Sequence, residues 1–383
     1  MKRTTAPRIL QILPAFDAGG VERVTFETVT GLAANTFGTH HVASAGGRYA
    51  GKLAAEIVHH TLPLKTKNPL ALLSNAKRLY DLIKCEDISV VHARSRAPAW
   101  SALWACRSAK IPFITTYHGT YNGSSALKQY YNSIMARGDR VVAISRFILN
   151  HIEKTHPTLT SKLTFVPEGI DTTYFDPALM TSDRIATARA ALNVTADTRV
   201  LLLPGRLTRW KGQVWFLNAL RKRLNWLQQQ NICVVILGDA QERQDYYNEL
   251  VLLANDLKAA NVPVSFATEY DDLPAAYALA DIVFSCSLEP EAFGRIAAES
   301  LSMGRPFIGT NHGGTVELTG EGRFGSVVAP DDGDALLTEI ERTLNSEHEA
   351  LATRGTLARA HIQENYSLKE MLRLTQKLYE SVA

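Results

Sequence analysis

Short runs of aliphatic and β-branched residues alternate with longer amphipathic stretches along most of the chain. In the first half the apolar runs 8–13, 41–45, 89–93, 112–117 and 140–144 predict strands. The stretches 21–35, 69–84, 98–109 and 145–155, with apolar positions three and four apart, predict helices. The strand runs are continuous rather than alternating, as in parallel strands covered on both faces. Strand, helix, strand in repetition implies a doubly wound sheet.

The alternation pauses at Phe165-Val166-Pro167-Glu168-Gly169-Ile170-Asp171 and Tyr174-Phe175-Asp176-Pro177, where proline and glycine mark a linker. A second series then predicts a strand at 199–203, a helix at 212–229, a strand at 233–237 and a helix at 242–257. It continues through 263–266, 273–279 and 281–286, a helix near 294–303, a strand at 306–309 and a helical pattern at 335–344. The last stretch, 367–382, is helical with Leu368, Met371, Leu372, Thr375, Leu378 and Tyr379 on one stripe. The expected fold is α/β: two doubly wound parallel-sheet domains, 1–177 and 178–366, with ligands at the carboxyl ends of the strands and an interdomain cleft as the default site.

Length and composition agree with this picture. The chain has 383 residues, enough for two ordinary domains, with 46% hydrophobic and 21% charged residues. No run of eighteen apolar residues is present. The first seven residues lead straight into a strand pattern, without the features of a secretory signal. Cys85, Cys106, Cys233 and Cys286 are scattered, with no CxxC pair, and read as reduced thiols in a cytoplasmic protein. The net charge of +3 divides unevenly. Residues 1–177 hold 21 Lys and Arg against 12 Asp and Glu, and the remainder 20 against 26. A basic half suggests an anionic partner for the first domain, the alternative being chance drift of surface charge.

Candidate chemistry gathers where predicted strands give way to helices. The loop Pro204-Gly205-Arg206-Leu207-Thr208-Arg209-Trp210-Lys211-Gly212 carries Arg206 as a forked donor and Lys211 as a point charge, a pair suited to a diphosphate. A solvated loop with ordinary surface cations is the alternative. Glu289-Pro290-Glu291-Ala292-Phe293-Gly294-Arg295-Ile296-Ala297-Ala298-Glu299 enters a helix near Phe293 or Gly294, whose free N–H groups and dipole favour phosphate. Eight helical residues would separate Glu291 from Glu299 by about 12 Å. That is too far to share a proton and suits the two ends of a sugar nucleotide. Small and apolar neighbours, Ala297, Ala298 and Leu301, mean that Glu299 needs a partner.

In the first half, Gly19-Gly20 between strand and helix admits a phosphate or sugar to the backbone, or simply makes a tight turn. It lacks the GxGxxG fingerprint, which counts against a nicotinamide dehydrogenase. His118 at one strand end faces a sugar or serves the structure; Arg94 and Arg96 at another bind an anionic acceptor or remain solvated. Asp332-Gly333-Asp334 spells the acidic triplet of metal-dependent sugar transferases, but it precedes a helical pattern and reads as a helix cap. No metal is expected.

Gly19-Gly20, Gly205-Arg206 with Lys211-Gly212, and Glu291-x-Phe293-Gly294 with Glu299 together resemble retaining glycosyltransferase family 4, whose fold is GT-B. The linker Val166-Pro167-Glu168-Gly169-Ile170-Asp171 and Thr310-Asn311-His312-Gly313-Gly314-Thr315-Val316-Glu317 fit the same family, over nearly the whole chain. Glu168 stands where members often carry Asn. The resemblance implies that Arg206 and Lys211 stabilise a leaving diphosphate, Glu291 contacts the donor sugar and Glu299 the ribose. Phe293, Gly294, Arg295 and Ile296 would lie under the phosphates and sugar, with Gly205 and Gly238 also in the donor site. Gly19 and Gly20 would close over the donor from the first domain, and His118 would lie by the sugar. The first domain would bind the acceptor, and helix 367–383 would pack back on it.

The implied activity is hexosyl transfer with retention from a UDP- or GDP-linked sugar, without cofactor or metal, to a glycan or glycolipid acceptor. Cell-envelope polysaccharide or lipopolysaccharide biosynthesis is the implied setting, in the cytoplasm, with an anionic membrane surface as a candidate contact and no nucleic acid. A sugar-nucleotide epimerase of the same fold and a non-catalytic nucleotide-sugar binding module are the alternatives. Base contacts are expected near residues 267–270, without a preference between uridine and guanosine.

Overall fold

The structure, a computed structural model, describes residues 6–17, 19–123, 125–268 and 270–382. The chain divides into two compact units, residues 1–169 with 368–383 and residues 170–367. The first unit is built on seven strands: β1 (Arg8–Ile12), β2 (Thr39–Ser44), β3 (Val58–Thr61), β4 (Val90–Ala93), β5 (Phe113–Tyr117), β6 (Arg140–Ala143) and β7 (Leu163–Phe165). They pair in parallel in the order β3-β2-β1-β4-β5-β6-β7. Every residue of β4 and β5 is buried, which explains their unbroken apolar runs. The edge strands β3 and β7 bury none of their residues; β3 reads Val58-His59-His60-Thr61 and carries no apolar run to detect.

The second unit holds β8 (Arg199–Pro204), β9 (Ile232–Leu237), β10 (Val264–Ala267), β11 (Ile282–Ser285), β12 (Phe307–Thr310) and β13 (Ser326–Val328). Their order is β10-β9-β8-β11-β12-β13, again parallel. Leu201, Leu203, Phe216, Phe284, Ile308, Leu336 and Ile340 belong to its core. In both sheets the chain winds outward through three strands and then crosses to the other side of the first. The switch points therefore lie between β1 and β4, and between β8 and β11, where loops diverge and leave a crevice at the carboxyl ends.

Three expectations need correction. The boundary falls after Gly169, not after Pro177. In the helix His348–Asn365, Arg359 donates to the carbonyls of Phe175 (2.9 Å) and Ser302 (2.7 Å) and pairs with Asp176 (2.9 Å). Ser302 Oγ also donates to the Phe175 carbonyl, and the Phe175 ring is fully buried edge-on to Tyr277. The segment 170–177 is thus bound into the second unit. The helix expected at 212–229 breaks into Gln213–Arg221 and Leu224–Gln229, with Lys222 and Arg223 between them pairing to Asp334 and Glu341. The helices Ala126–Asn132, Ser182–Ala191, Gly314–Leu318 and His348–Asn365 have no counterpart among the predicted elements. The longest of these buries only Gly355, Ala358 and Ile362, too few to make an apolar stripe.

The last helix, Leu368–Glu380, belongs to the first unit. Its Met371, Leu372, Leu378 and Tyr379 join Ile9, Val24, Val90, Ile114 and Val166 in one apolar cluster. The first unit so composed holds 24 Lys and Arg against 12 Asp and Glu, a net charge of +12; the second holds 17 against 26, or −9. No helix among the described residues is long and apolar enough to cross a membrane.

Candidate functional site

At the switch point of the second unit, the loop after β8 and the loop after β11 meet. Gly212 makes this possible. It adopts φ 73°, and a Cβ there would run into the Cys286 carbonyl. The close approach is fastened by Leu288 N–H donating to the Trp210 carbonyl (2.6 Å). It brings the Lys211 ammonium, which also lies over the Trp210 ring, to Glu291 Oε1 at 2.5 Å. The same oxygen accepts from Ser287 Oγ (2.6 Å) and Ser285 Oγ (3.3 Å). Both ionic partners are largely buried, with side chains 12% exposed. Burial raises the Glu291 pKa, but Lys211 and the two serines outweigh it and hold the carboxyl below its usual range.

A third loop supports this one. After β12, Gly314 N–H donates to the Glu291 carbonyl (2.8 Å), and a Cβ on Gly314 would strike the Phe293 carbonyl. Thr310 Oγ1 and His312 Nε2 each donate to the Ser287 carbonyl at 2.8 Å. The Asn-His-Gly-Gly sequence thus packs against the Glu291 loop from behind.

Arg206 occupies the same β8 loop but differs from Lys211. It is exposed, and its side chain has no hydrogen-bond or ionic partner among the described residues. Gly294 precedes the helix Arg295–Ser302, whose first turn opens at the switch point. Phe293 turns inward and is 4% exposed, near Tyr366, while Ile296 lies half-buried against Gly205. Gly238 packs under the Gly205 carbonyl, shaping the Arg206 loop rather than lining open space. Glu299 is buried and finds the partners that its surroundings demand: Tyr277 OH donates to it at 2.8 Å, and Arg295 lies 3.6 Å away. The residues expected to bind the donor, within 205–212 and 291–299, therefore assemble in one unit at one switch point. Of the residues 267–270, Glu269 lies outside the described residues, as does Ala18 in the loop before Gly19.

The acidic triplet serves the helix. Asp332 accepts from Ala335 N–H at 2.9 Å, capping the helix Gly333–Leu344, and Asp334 pairs with Lys222. Among the described residues no group of three His, Cys, Asp or Glu side chains is placed to hold a metal.

In the first unit, Gly19 and Gly20 stand at the start of the helix Gly20–Ala34; a Cβ on Gly20 would meet open space. Arg94 corrects its expected role. It is 6% exposed, and its Nε donates to Gln11 Oε1 at 3.0 Å. Gln11 Nε2 donates to Tyr379 OH (2.6 Å), which contacts His92 Nδ1 (2.8 Å), and His92 Nε2 contacts Thr116 Oγ1 (2.6 Å). Burial lowers the Arg94 pKa, and the neighbouring Tyr379 and the charge of Glu168 oppose that shift. Arg94 is thus an internal strut of the first unit rather than a solvated group at its surface. Arg96 is half-buried, donating to Asn132 Oδ1 (2.7 Å) under the Tyr121 ring. The His118 ring is also internal. Its pKa is pushed down to about 3 by burial and then by the Arg94 charge, so it is neutral, with Nδ1 3.9 Å from Glu168 Oε2. His92, Arg94, Thr116, His118 and Glu168 line part of a cavity of about 20 Å³.

Nothing in the sequence pattern singles out Ser285, Ser287 or Tyr277, because their roles come from tertiary contact. The Gly314 approach is present there only as a motif without a mechanism.

Comparisons with known proteins agree with the fold. Residues 18–174 match Glycosyltransferase Family 4, and residues 185–360 match Glycosyl transferases group 1. A glycosyltransferase from Rickettsia africae is 33% identical, with 98% of each chain covered and a TM-score of 0.88. The Anabaena protein HepE, solved with UDP and glucose, is 20% identical over 97% of this chain and 99% of its own, with a TM-score of 0.84. A GDP-mannose-dependent phosphatidylinositol monomannoside mannosyltransferase from Mycolicibacterium smegmatis is 26% identical, covering 79% of this chain and 78% of its own. With two parallel-sheet units and a sequence relative matched from end to end, the chain belongs to glycosyltransferase family 4 and is a transferase of GT-B architecture.

Proposed function

We propose that this glycosyltransferase moves a hexose, with retention and without a metal, from a nucleoside-diphosphate sugar to a glycan or glycolipid acceptor of the cell envelope. The observation that carries this reading is the meeting of Arg206, the Lys211–Glu291 pair and the start of the helix Arg295–Ser302 at one switch point. Cleaving the donor leaves positive charge on the sugar and a second negative charge on the terminal phosphate of the leaving diphosphate. Arg206, Lys211 and the helix N-terminus supply the field for the latter, and preorganised groups of this kind commonly lower the barrier more than any other effect in an enzyme. The leaving phosphate oxygen takes the acceptor proton on the same face of the sugar, giving retention with no carboxylate pair at glycosidase spacing. The UDP and glucose of HepE and the GDP-mannose of the mycobacterial relative support a nucleotide-sugar donor. The first unit's +12 favours an anionic acceptor or surface, and a Salmonella lipopolysaccharide N-acetylglucosaminetransferase, 29% identical over 162 residues, supports the envelope setting.

The donor is tested by thermal shift against a panel of UDP- and GDP-sugars. A matching donor at a hundred times its Kd stabilises by about 2.7 kcal/mol and raises the melting temperature by several degrees. A flat response to every donor, with the protein folded, would sink the donor assignment.

Two further features are read from the transfer assay with that donor and a lipopolysaccharide core acceptor. Activity is expected to survive EDTA, and the acceptor KM to rise with salt as charges are screened over about 8 Å. Complete loss on chelation, restored by Mg²⁺, would refute the metal-free reading. A KM indifferent to salt would remove the electrostatic argument for the acceptor.

A further inference from the structure

In the loop after β11, Glu291 is surrounded by an asymmetric set of donors. All three donors to Glu291 converge on one oxygen: Lys211, Ser287 and Ser285 bond Oε1. Oε2 has no hydrogen-bond or ionic partner among the described residues, and the side chain retains 12% exposure. An ammonium is a compact point charge and alone would donate to either carboxylate oxygen or bridge both. A hydroxyl from a fully buried residue is directional and selects one.

Ser287 is such a residue. It is 0% exposed, and its carbonyl is pinned by Thr310 Oγ1 and His312 Nε2 from the end of β12 and the turn after it. The Glu291 backbone is held by Gly314. Three strand ends therefore fix the hydroxyl and the carboxylate relative to one another.

We infer that Ser287 is a positioning residue for transfer: it clamps Glu291 Oε1 beside Lys211 and so presents Oε2, ionised and unshared, to a hydroxyl of the donor sugar. Ser285, at the longer distance of 3.3 Å, is the weaker half of the clamp. This rests on the donor-site reading above. The charged and titratable groups around the carboxylate are Lys211, in direct contact, and His312, one hydrogen bond further away on the Ser287 carbonyl. Lys211 and both hydroxyls favour the ionised form, so removing a hydroxyl moves the Glu291 titration upward.

The test compares wild type with Ser287→Ala and Ser285→Ala. The Glu291 carboxyl is followed by ¹³C NMR across pH and assigned through Glu291→Gln; nucleoside-diphosphate release is measured from UDP-glucose and GDP-mannose. In Ser287→Ala the Glu291 titration and the acid limb of kcat/KM are expected to move up together. The same variant should lose about tenfold to a hundredfold in kcat with donor KM changed less than about threefold. Ser285→Ala should change in the same direction by less. If Ser287→Ala disturbs folding, Ser287→Cys keeps the volume with a weaker donor and carries the same expectation. An unmoved Glu291 titration in Ser287→Ala or Ser287→Cys would overturn the inference. A shifted titration while Lys211→Ala and Glu291→Gln turn over at the wild-type rate would instead overturn the donor-site reading beneath it.

Discussion

Arg206→Ala is expected to lower turnover by about a hundredfold or more while the melting temperature stays within about 1 °C of wild type. The guanidinium is exposed and has no partner among the described residues, so its loss removes nothing that holds the fold. With a diphosphate bound it becomes a charge-assisted donor where negative charge develops, and removing one such donor costs on the order of 10²–10³ in kcat. Lys211→Ala makes the contrast. It should cost comparable activity but also stability, because Glu291 loses its charged partner in a largely buried setting. Steady-state kinetics with the verified donor, beside calorimetric melting of both variants, separates the two. Wild-type kcat in Arg206→Ala would remove that residue from the diphosphate site.

Arg94→Met should behave in the opposite way, as a failure of stability. The substitution leaves Gln11, Tyr379 and the carboxylate of Glu168 buried without the cation they face. Breaking a buried ionic network by removing one member costs about 3–5 kcal/mol. For a unit of this size that is a fall in melting temperature of roughly 6–20 °C. Thermal melting by circular dichroism measures it. An unchanged melting temperature together with a raised acceptor KM would restore Arg94 to the surface role that its sequence context suggested.

These two arginines show how far the sequence could be read. Both follow a parallel strand, and both stand where an α/β fold places ligands, so pattern alone treats them alike. What separates them is the last helix, which brings Tyr379 to Arg94 from 285 positions further along the chain, beside Gln11 from β1. Nothing local encodes that contact. The central strands were legible because burial on both faces forces continuous apolar runs. The edge strands β3 and β7 were not, because half-solvated strands tolerate histidine and threonine. Within the site, Arg206, Lys211, Glu291 and Glu299 stood out as charges in strand-to-helix loops. Their division of labour did not, since pairing of Lys211 with Glu291 across 80 positions depends on the closeness of Gly212 to Cys286.

The return of the last helix to the first unit also sets an order for biosynthesis. The second unit is one uninterrupted stretch, residues 170–367, and can complete its sheet as soon as that stretch has left the ribosome. The first unit is begun earlier but finished later. Until residues 368–380 emerge, Ile9, Val24, Val90 and Val166 lack the helix that covers them, and Gln11 and His92 lack the Tyr379 hydroxyl. The nascent first unit therefore waits, with an uncovered apolar face, through the translation of the whole second unit. The last helix, made after everything it packs against, closes a core laid down at the start.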